Sequence, residues 1–389
     1  FYLEHPIAAD ESSVIKQQIA RGFTWLLTQQ NEDGGFGDTA MSSSNIATTM
    51  LVIAATHAAN RTQEYQRLLE RAQSYVDSQG SIEGLRRRYG TDKTFAVPIL
   101  ANCAMAGIVP WKEVSALPFE AACVPQRFYH LMQMPVVSYA VPALVAIGQA
   151  KYFFDPPWDP IRKGIRKLAV GRSLGVLEKM QPASGGFLEA VPLTSFVVMS
   201  LVKTGRADHA VAQRGIRFLI DSFRVDQETS ATTNTSPAQN ENRLQQDNES
   251  GSWPIDTNLA TWSTTLTVNA FANDPEEFAK QIASNKSDWQ NCFEWILSCQ
   301  NQTVHPFTGS PPGGWGWTDL TGSVPDADDT PGALLALKNL LATGGFDHAR
   351  QTILRSAESG IDWLLKLQNR DRGWPTFCRG WGKFPFDRS

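Results

Sequence analysis

A unit that recurs along the chain constrains the fold of these 389 residues more than any other feature. Each copy has an amphipathic helix, a Gln, a turn of glycine and an aromatic residue, and then an apolar helix. The Gln and the aromatic residue lie six positions apart in three copies and 15 apart in a fourth, while a further copy is degenerate. The copies are 30–36, 181–187, 218–253, 300–315 and 368–374. Repeats of this kind indicate stacked supersecondary units.

The helices that follow these turns are apolar on nearly all sides, as in Thr48–Val52 and Thr264–Val268. Such helices are expected to be buried, whereas the amphipathic helices before the turns are expected to form an outer layer. With no convincing strand between them, this alternation predicts an all-α fold of two α/α toroid (barrel-like) domains. In that fold the Gln can cap the next helix and the aromatic ring can seal adjacent repeats. Most of the 12 Trp residues are therefore interpreted as structural.

A polar segment separates the two predicted domains. Residues 225–250 are almost wholly polar, and such a composition cannot bury enough apolar surface to fold alone. We therefore predict a flexible loop there, with one domain over 1–224 and a second over 251–389. The second domain stops just after a glycine–tryptophan turn, where an inner helix is due, and is predicted to be incomplete.

Charge and cysteine usage narrow the possible partners. Lys plus Arg number 35 and Asp plus Glu 39, a net charge of −4. This balance argues against a nucleic-acid partner, because such proteins carry a basic surface. The five cysteines contain no CxxC pair, and neither they nor the six histidines have zinc-ligand spacing. The sequence offers no metal site, and the odd number of cysteines is typical of a reduced, intracellular protein.

The sharpest local feature is a cluster of three carboxylates, Asp326, Asp328 and Asp329, directly before an apolar helix. One interpretation is helix capping, since Thr330 is a good N-cap residue and acidic groups stabilise a helix N-terminus. The other is catalysis. Like charges this close cannot all ionise cheaply, so one carboxyl retains a proton at neutral pH. Such an acid could protonate a weak base such as an alkene.

Aromatic residues stand just upstream, in the run Gly313-Gly314-Trp315-Gly316-Trp317. A protonated alkene becomes a carbocation, which needs stabilisation by a group that does not react with it. Aromatic faces supply this through cation–π attraction, about 2 kcal/mol or more for a well-placed dry contact. An acid and aromatic rings in one stretch favour catalysis over capping alone.

The repeated Gln-x5-Gly-Trp turns together with the Asp-x-Asp-Asp-Thr motif resemble the class II triterpene cyclases, specifically squalene–hopene cyclase and its bacterial relatives. Two further segments, 78–83 and 109–114, are similar to the first-repeat domain of those enzymes. The resemblance implies that the two domains are of the γ and β types. It also implies a central hydrophobic cavity with the acidic motif at its top, and a reaction that needs no metal or other cofactor.

By this resemblance Asp328, the middle acid, protonates the terminal alkene of a polyprene, while Asp326 and Asp329 tune and orient it. The family's downstream His that hydrogen-bonds the catalytic Asp has no counterpart here, and Cys378 is the candidate for that role. Trp315 also belongs to a repeat turn and so has a structural interpretation as well. The candidate substrate-contacting residues are Trp317, Trp262, Phe377, Tyr139 and Trp315.

The resemblance implies an isomerase-type enzyme that cyclises squalene or a related polyprene through carbocations, starting from an alkene or an epoxide. It further implies a peripheral (monotopic) position on the cytoplasmic side of a membrane. The stretch 131–158 is a candidate for membrane contact, with core packing as the alternative. Because the family's C-terminal third is missing from the sequence, we expect a further segment or a second chain. A homodimer is also possible.

Two other classes remain open. A protein-prenyltransferase-like subunit shares the toroid but needs Asp, Cys and His zinc ligands, and the six histidines do not show that arrangement. His305 and His348 are instead interpreted as surface or packing residues. A catalytically inactive lipid-binding toroid is the other alternative.

Overall fold

The structure, a computed structural model, describes residues 1–6, 9–89, 93–124, 141–225, 250–305 and 308–377. Within these ranges the chain forms fourteen α-helices and one antiparallel pair of two-residue strands, so the predicted all-α fold is confirmed. The helices are α1 Ala9–Leu27, α2 Ile46–Ala58, α3 Gln66–Ser78, α4 Ser81–Tyr89, α5 Lys93–Met105, α6 Val141–Phe154, α7 Pro160–Met180, α8 Val191–Lys203, α9 Ala210–Asp221, α10 Ala260–Phe271, α11 Pro275–Ser284, α12 Lys286–Ser298, α13 Asp329–Ala342 and α14 Arg350–Leu367. The strands are β1 Arg224–Val225 and β2 Gly251–Ser252.

The described chain packs as two compact units, each made of three segments. The first unit consists of Phe1–Leu117, Ala146–Trp158 and Thr194–Ile255. The second consists of Pro118–Val145, Asp159–Leu193 and Asp256–Ser389. The domain limits predicted from the sequence, 1–224 and 251–389, stay a prediction, and so does the incompleteness of the second domain.

Inner and outer helices differ in burial as their sequences predict. In the first unit α2 buries eight side chains, among them Met50 and Ile53, because it is apolar on nearly all sides. Its neighbour α3 buries only Ala72 and Val76 and turns its charged residues outward. The difference in burial follows directly from the difference in apolar pattern.

The Gln of the recurring unit forms the same hydrogen bond in four copies. Its side-chain Nε2 donates to the carbonyl two residues before the aromatic residue, and this bond closes the turn. Two of these amides also donate to a carbonyl of a later helix, Gln30 to Leu68 in α3 and Gln300 to Ser356 in α14. The Gln therefore fastens the turn rather than capping the next helix. The turn bonds are Gln30 to Gly34, Gln181 to Gly185, Gln300 to Gly313 and Gln368 to Arg372, at 2.9, 2.9, 2.7 and 2.8 Å.

The core of the second unit lies among α10, α11, α12, α13 and α14. Ala333, Leu337 and Leu340 of α13 are fully buried within it. Helices α10 and α13 pack against each other and are joined by a hydrogen bond from Asn269 Nδ2 to the Gly332 carbonyl at 3.1 Å. This packing positions the chain segment that precedes α13, which carries the acidic motif.

Several predicted features lie outside the described residues, namely Tyr139, Cys378 and positions 226–249 of the polar segment. In the described ranges, no helix combines the length and apolar character needed to cross a lipid bilayer.

Candidate active site

Asp326 lies just before α13, and its carboxylate caps that helix. Its Oδ1 accepts the backbone N–H of Asp328 at 2.8 Å and that of Asp329 at 2.6 Å. The helix begins at Asp329, so the prediction of Thr330 as the N-cap residue is wrong. The reason is that an acceptor further upstream already satisfies the first free N–H groups of the helix. The carboxylate of Asp326 therefore caps the helix and is also one of the crowded acids of the motif.

Asp326 and Asp329 form a buried carboxyl pair, 2% and 5% exposed. Burial raises the pKa of Asp326, and the charge of Asp329 raises it further, while the backbone N–H groups oppose this shift. Burial also raises the pKa of Asp329, against a hydrogen bond from the Asp326 carboxyl that lowers it. Two carboxyl groups this close in a desolvated site cannot both ionise cheaply, so the pair retains one proton at neutral pH.

Asp328 has different surroundings from the other two acids. Its side chain is exposed, while its backbone N–H is held by Asp326. Of the three carboxyl groups, it is the one that an incoming molecule can reach without displacing protein. Its assignment as the proton donor stays a prediction.

Trp317, nine residues before the acidic motif, forms an aromatic pair with Phe377, which lies far from the motif in the chain. Their ring centroids are 6.1 Å apart at an interplanar angle of 70°, an edge-to-face arrangement. The segment that carries Phe377 is tied to the acidic motif, because the Ala327 N–H donates to the Thr376 carbonyl at 2.9 Å. The structure thus brings two of the predicted aromatic residues together and joins the segment of one of them to the acidic motif.

The start of α10 holds the backbone of Trp317. The carbonyl of Trp317 accepts the N–H of Thr261 at 3.1 Å and that of Trp262 at 3.2 Å. Trp262 is half-exposed, whereas the ring of Trp317 is buried. The indole N–H of Trp317 has no hydrogen-bond partner among the described residues.

Trp315 is a member of the core. It is fully buried, and its indole N–H donates to the Ile296 carbonyl at 2.8 Å. Its backbone N–H donates to the Thr330 hydroxyl at 2.9 Å, and its carbonyl accepts the Asp326 N–H at 3.0 Å. Trp315 thus joins the helix packing to the acidic motif, and its predicted contact with substrate stays a prediction.

Two buried ionisable side chains that the sequence did not single out as functional also contact this region. Glu189 binds the backbone N–H of Gly322 at 3.0 Å, and His305 Nε2 binds the carbonyl of Ser323 at 2.9 Å. His305 is a buried residue, which agrees with the packing alternative predicted for it. No local pattern marks Glu189. His305 lies between Gln300 and Trp315, where the fourth repeat copy has its long spacing.

The geometry suits acid chemistry near aromatic rings. It combines a carboxyl pair that retains one proton, a third carboxyl that is exposed, and aromatic faces. Among the described residues, no group of three or more His, Cys, Asp or Glu side chains could hold a metal ion.

Comparison with known proteins supports the resemblance to the squalene cyclases. Residues 9–157 match the squalene-hopene cyclase N-terminal domain family. The chain is 22% identical to an enfumafungin synthase of Hormonema carpetanum, over 93% of this chain and 29% of that protein. It is 24% identical to a squalene hopane cyclase of Aspergillus fumigatus, over 91% of this chain and 50% of that protein. A shorter match, 34% identical, is to the sporulenol synthase of Bacillus subtilis, over 18% of this chain and 9% of that protein. The chain thus spans half or less of the length of these relatives.

Proposed function

The chain belongs to the squalene–hopene cyclase family of class II triterpene cyclases, and we propose that it cyclises squalene or a related polyprene after protonating its terminal alkene or epoxide. The observation that carries this proposal is the buried Asp326–Asp329 pair with the reachable carboxyl of Asp328 beside it. The sequence relatives whose names include a squalene cyclase support the same class of substrate.

Asp328 is the proposed proton donor because a general acid must touch the group that it protonates. An apolar substrate that approaches the motif meets the exposed carboxyl of Asp328 before the two buried ones. Asp326 fixes the position of Asp328 through the 2.8 Å hydrogen bond to its backbone N–H. Asp329 adds a neighbouring carboxyl that shares a proton with Asp326 and supplies negative charge.

Trp317, Phe377 and Trp262 are the proposed wall for the carbocation. Trp317 and Phe377 already contact each other edge to face. An aromatic face attracts a cation by about 2 kcal/mol or more in a dry site and does not react with it as water would. The proposed sequence is therefore protonation at the acidic motif, ring closure along the aromatic wall, and loss of a proton or capture of water.

We place the protein on the cytoplasmic face of a membrane, where its lipid substrate dissolves. Helix α7 of the second unit supports this part of the proposal. Its side chains Ile161, Ile165 and Leu168 recur at helical spacing and are exposed, the last at 77%. Exposed basic residues, Arg162 and Lys167, stand beside them. An apolar stripe flanked by basic groups is typical of helices that bind the interface of anionic membranes.

The test is product analysis with the intact protein. Incubation with squalene, oxidosqualene and shorter polyprenols, followed by mass spectrometry, should yield cyclic products. Asp328→Asn should lower turnover by at least about a hundredfold, the usual contribution of a general acid. Asp208→Asn, which alters an exposed carboxyl of the first unit, should leave turnover unchanged.

Two outcomes would contradict this proposal. If Asp326→Asn abolishes turnover and Asp328→Asn does not, the donor belongs to the buried pair. If the folded wild-type protein forms no cyclic product from any of these polyprenes, the inactive lipid-binding toroid is the better assignment. Circular dichroism of each variant separates lost chemistry from lost fold.

A further inference from the structure

The connecting segment, residues 318–325, links the Trp317 ring to the carboxyl of Asp326. Its two ends are fixed by backbone hydrogen bonds. The Trp317 carbonyl is held by the start of α10, and the Asp326 N–H donates to the Trp315 carbonyl at 3.0 Å. The position of the ring relative to the acids therefore depends on how the connecting segment is held between these ends.

Glu189 holds the middle of the connecting segment from a distant part of the same unit. Its carboxyl is fully buried, and Oε1 accepts the Gly322 N–H at 3.0 Å and the Ser184 hydroxyl at 2.8 Å. Its own carbonyl accepts the N–H of Thr257 at 3.1 Å. The backbone and the side chain of Glu189 are thus both anchored within the second unit.

The backbone at Glu189 is strained. Leu188 and Glu189 have φ of +57° and +52°, two successive non-glycine residues in the left-handed region. Such conformations are costly and persist only where the surroundings impose them, often at functional sites. Gly322 fits this contact tightly, because a Cβ there would lie 2.5 Å from Glu189 Oε1. The contact therefore requires both an unusual backbone and a glycine.

His305 holds the next residue of the connecting segment. Its Nδ1 accepts the Thr308 N–H at 3.2 Å, so the hydrogen bond network assigns the proton to Nε2, which donates to the Ser323 carbonyl at 2.9 Å. Burial lowers the pKa of His305, which favours this neutral form. Two side chains thus form hydrogen bonds with adjacent residues: Glu189 accepts the N–H of Gly322, and His305 donates to the carbonyl of Ser323. We call these two hydrogen bonds the grip on the connecting segment.

We propose that Glu189 and His305 are positioning residues that fix the connecting segment and thereby the placement of Trp317 relative to the acidic motif. The role rests on the proposed cyclase function, in which the first ring must close before the cation is lost. A displacement of about 1 Å can cost roughly a hundredfold in rate when it moves reacting groups apart. A double grip on two adjacent residues limits this displacement.

Glutamine at position 189 is the matched control. Burial raises the pKa of Glu189, which favours an uncharged carboxyl that a Gln side chain resembles in shape and charge. Glu189→Gln keeps an acceptor for Gly322 and Ser184 and should retain the grip. Glu189→Ala and His305→Ala each remove one of the two side-chain hydrogen bonds to the connecting segment. Ser184→Ala weakens the grip from an exposed position and is expected to fold.

The first readout is hydrogen exchange by mass spectrometry, which needs no substrate. Glu189→Ala and His305→Ala should each speed exchange in peptides that cover 318–325 by about tenfold, with a smaller increase in Ser184→Ala. Peptides from α11 should be unchanged, and Glu189→Gln should match the wild type. The grip is rejected if Glu189→Ala leaves this exchange unchanged, or if Glu189→Gln is as disruptive as Glu189→Ala. If Glu189→Ala does not fold, Ser184→Ala and His305→Ala decide in the same way.

The second readout is the product ratio. Glu189→Ala should raise the share of early-terminated rings at least about threefold, and Glu189→Gln should restore the wild-type ratio. Faster exchange with an unchanged product ratio would overturn the positioning role. If the wild-type protein forms no cyclic product, the proposed function fails, and exchange alone upholds or rejects the grip.

Discussion

Trp315 and Trp317 are two positions apart, yet their indole groups have opposite surroundings. The N–H of Trp315 donates to the Ile296 carbonyl, as do the N–H groups of Trp253 to Leu219 and Trp374 to Leu364. The N–H of Trp317 is buried without a partner in the described part of the chain. An unpaired buried donor costs about 1 to 3 kcal/mol. Of these four rings it is Trp317 that contacts Phe377 edge to face, and this contact favours a role for its aromatic face.

Replacement of Trp317 should alter products, and Trp317→Ala should also lower stability by about 3 to 5 kcal/mol because the ring is buried. Trp317→Ala removes the aromatic face and should shift products toward early-terminated rings. Trp317→Phe keeps an aromatic face, although a smaller one, and should stay close to the wild-type product ratio. Trp253→Phe, which loses a paired N–H in the first unit, should leave the ratio unchanged. Gas chromatography with mass detection measures the ratio, and identical products from Trp317→Ala would exclude the ring from the reaction site.

Helix α13 shows what a local pattern can predict about an element and what it cannot. Its apolar run and the acids before it predict a helix, and a helix forms there. The predicted cap failed because Asp326 already accepts the first N–H groups of the helix. The hydroxyl of Thr330 is instead bound by the Trp315 N–H, a tertiary contact that no spacing reveals. The first unit repeats this contact, from the Phe36 N–H to the Thr49 hydroxyl at 2.9 Å. In both units, therefore, a Thr near the start of an inner helix accepts a hydrogen bond from the backbone of the repeat turn before it.

The buried cap of α13 should make stability depend on pH. Because the pKa of Asp326 is raised on folding, the native state binds the extra proton. The contribution of this proton to stability is then fully present below the unfolded carboxyl pKa of about 4 and is lost as pH rises toward the folded pKa. Asp326→Asn keeps an acceptor for the helix N–H groups without an ionisable group.

Urea unfolding of the wild type and Asp326→Asn between pH 4.5 and pH 8 measures this dependence. The variant should gain stability relative to the wild type as pH rises, while Asp208→Asn, at an exposed carboxyl, sets the baseline. A difference that shrinks with rising pH would mean that the Asp326 pKa is not raised.

At the scale of the whole molecule, the repeats predicted the all-α fold, because each copy repeats a local pattern that specifies helix and turn. The acids were also singled out from the sequence, since they form a short run before an apolar helix. Trp317 and Phe377 were candidates through the family resemblance, and the roles of all these residues stay predictions. Glu189 could not be found in this way, because it is 133 residues from its partner Gly322. The exposed face of α7 was missed for a similar reason, since Ile161, Ile165 and Leu168 would suit a buried stripe equally well.

The exposed face of α7 is expected to bind the membrane surface. Each large apolar side chain that inserts contributes about 1.5 to 3 kcal/mol when fully buried. Replacing Ile161, Ile165 and Leu168 together by Ser should therefore lower binding to phosphatidylglycerol-containing vesicles by roughly tenfold or more. Vesicles of phosphatidylcholine alone should bind the wild type more weakly, because they do not attract the basic residues of α7.

The matched control is the pair Ile361→Ser and Leu365→Ser on α14, another exposed apolar face, which stands beside the acidic Asp362. Co-sedimentation with the vesicles measures both. If the control loses binding as much as the α7 variant does, general exposed hydrophobicity explains the association. If neither variant changes it, α7 is not the contact. Selective loss in the α7 variant, together with a preference for anionic lipid, is the result expected when the stripe inserts and the basic residues stay at the level of the headgroups.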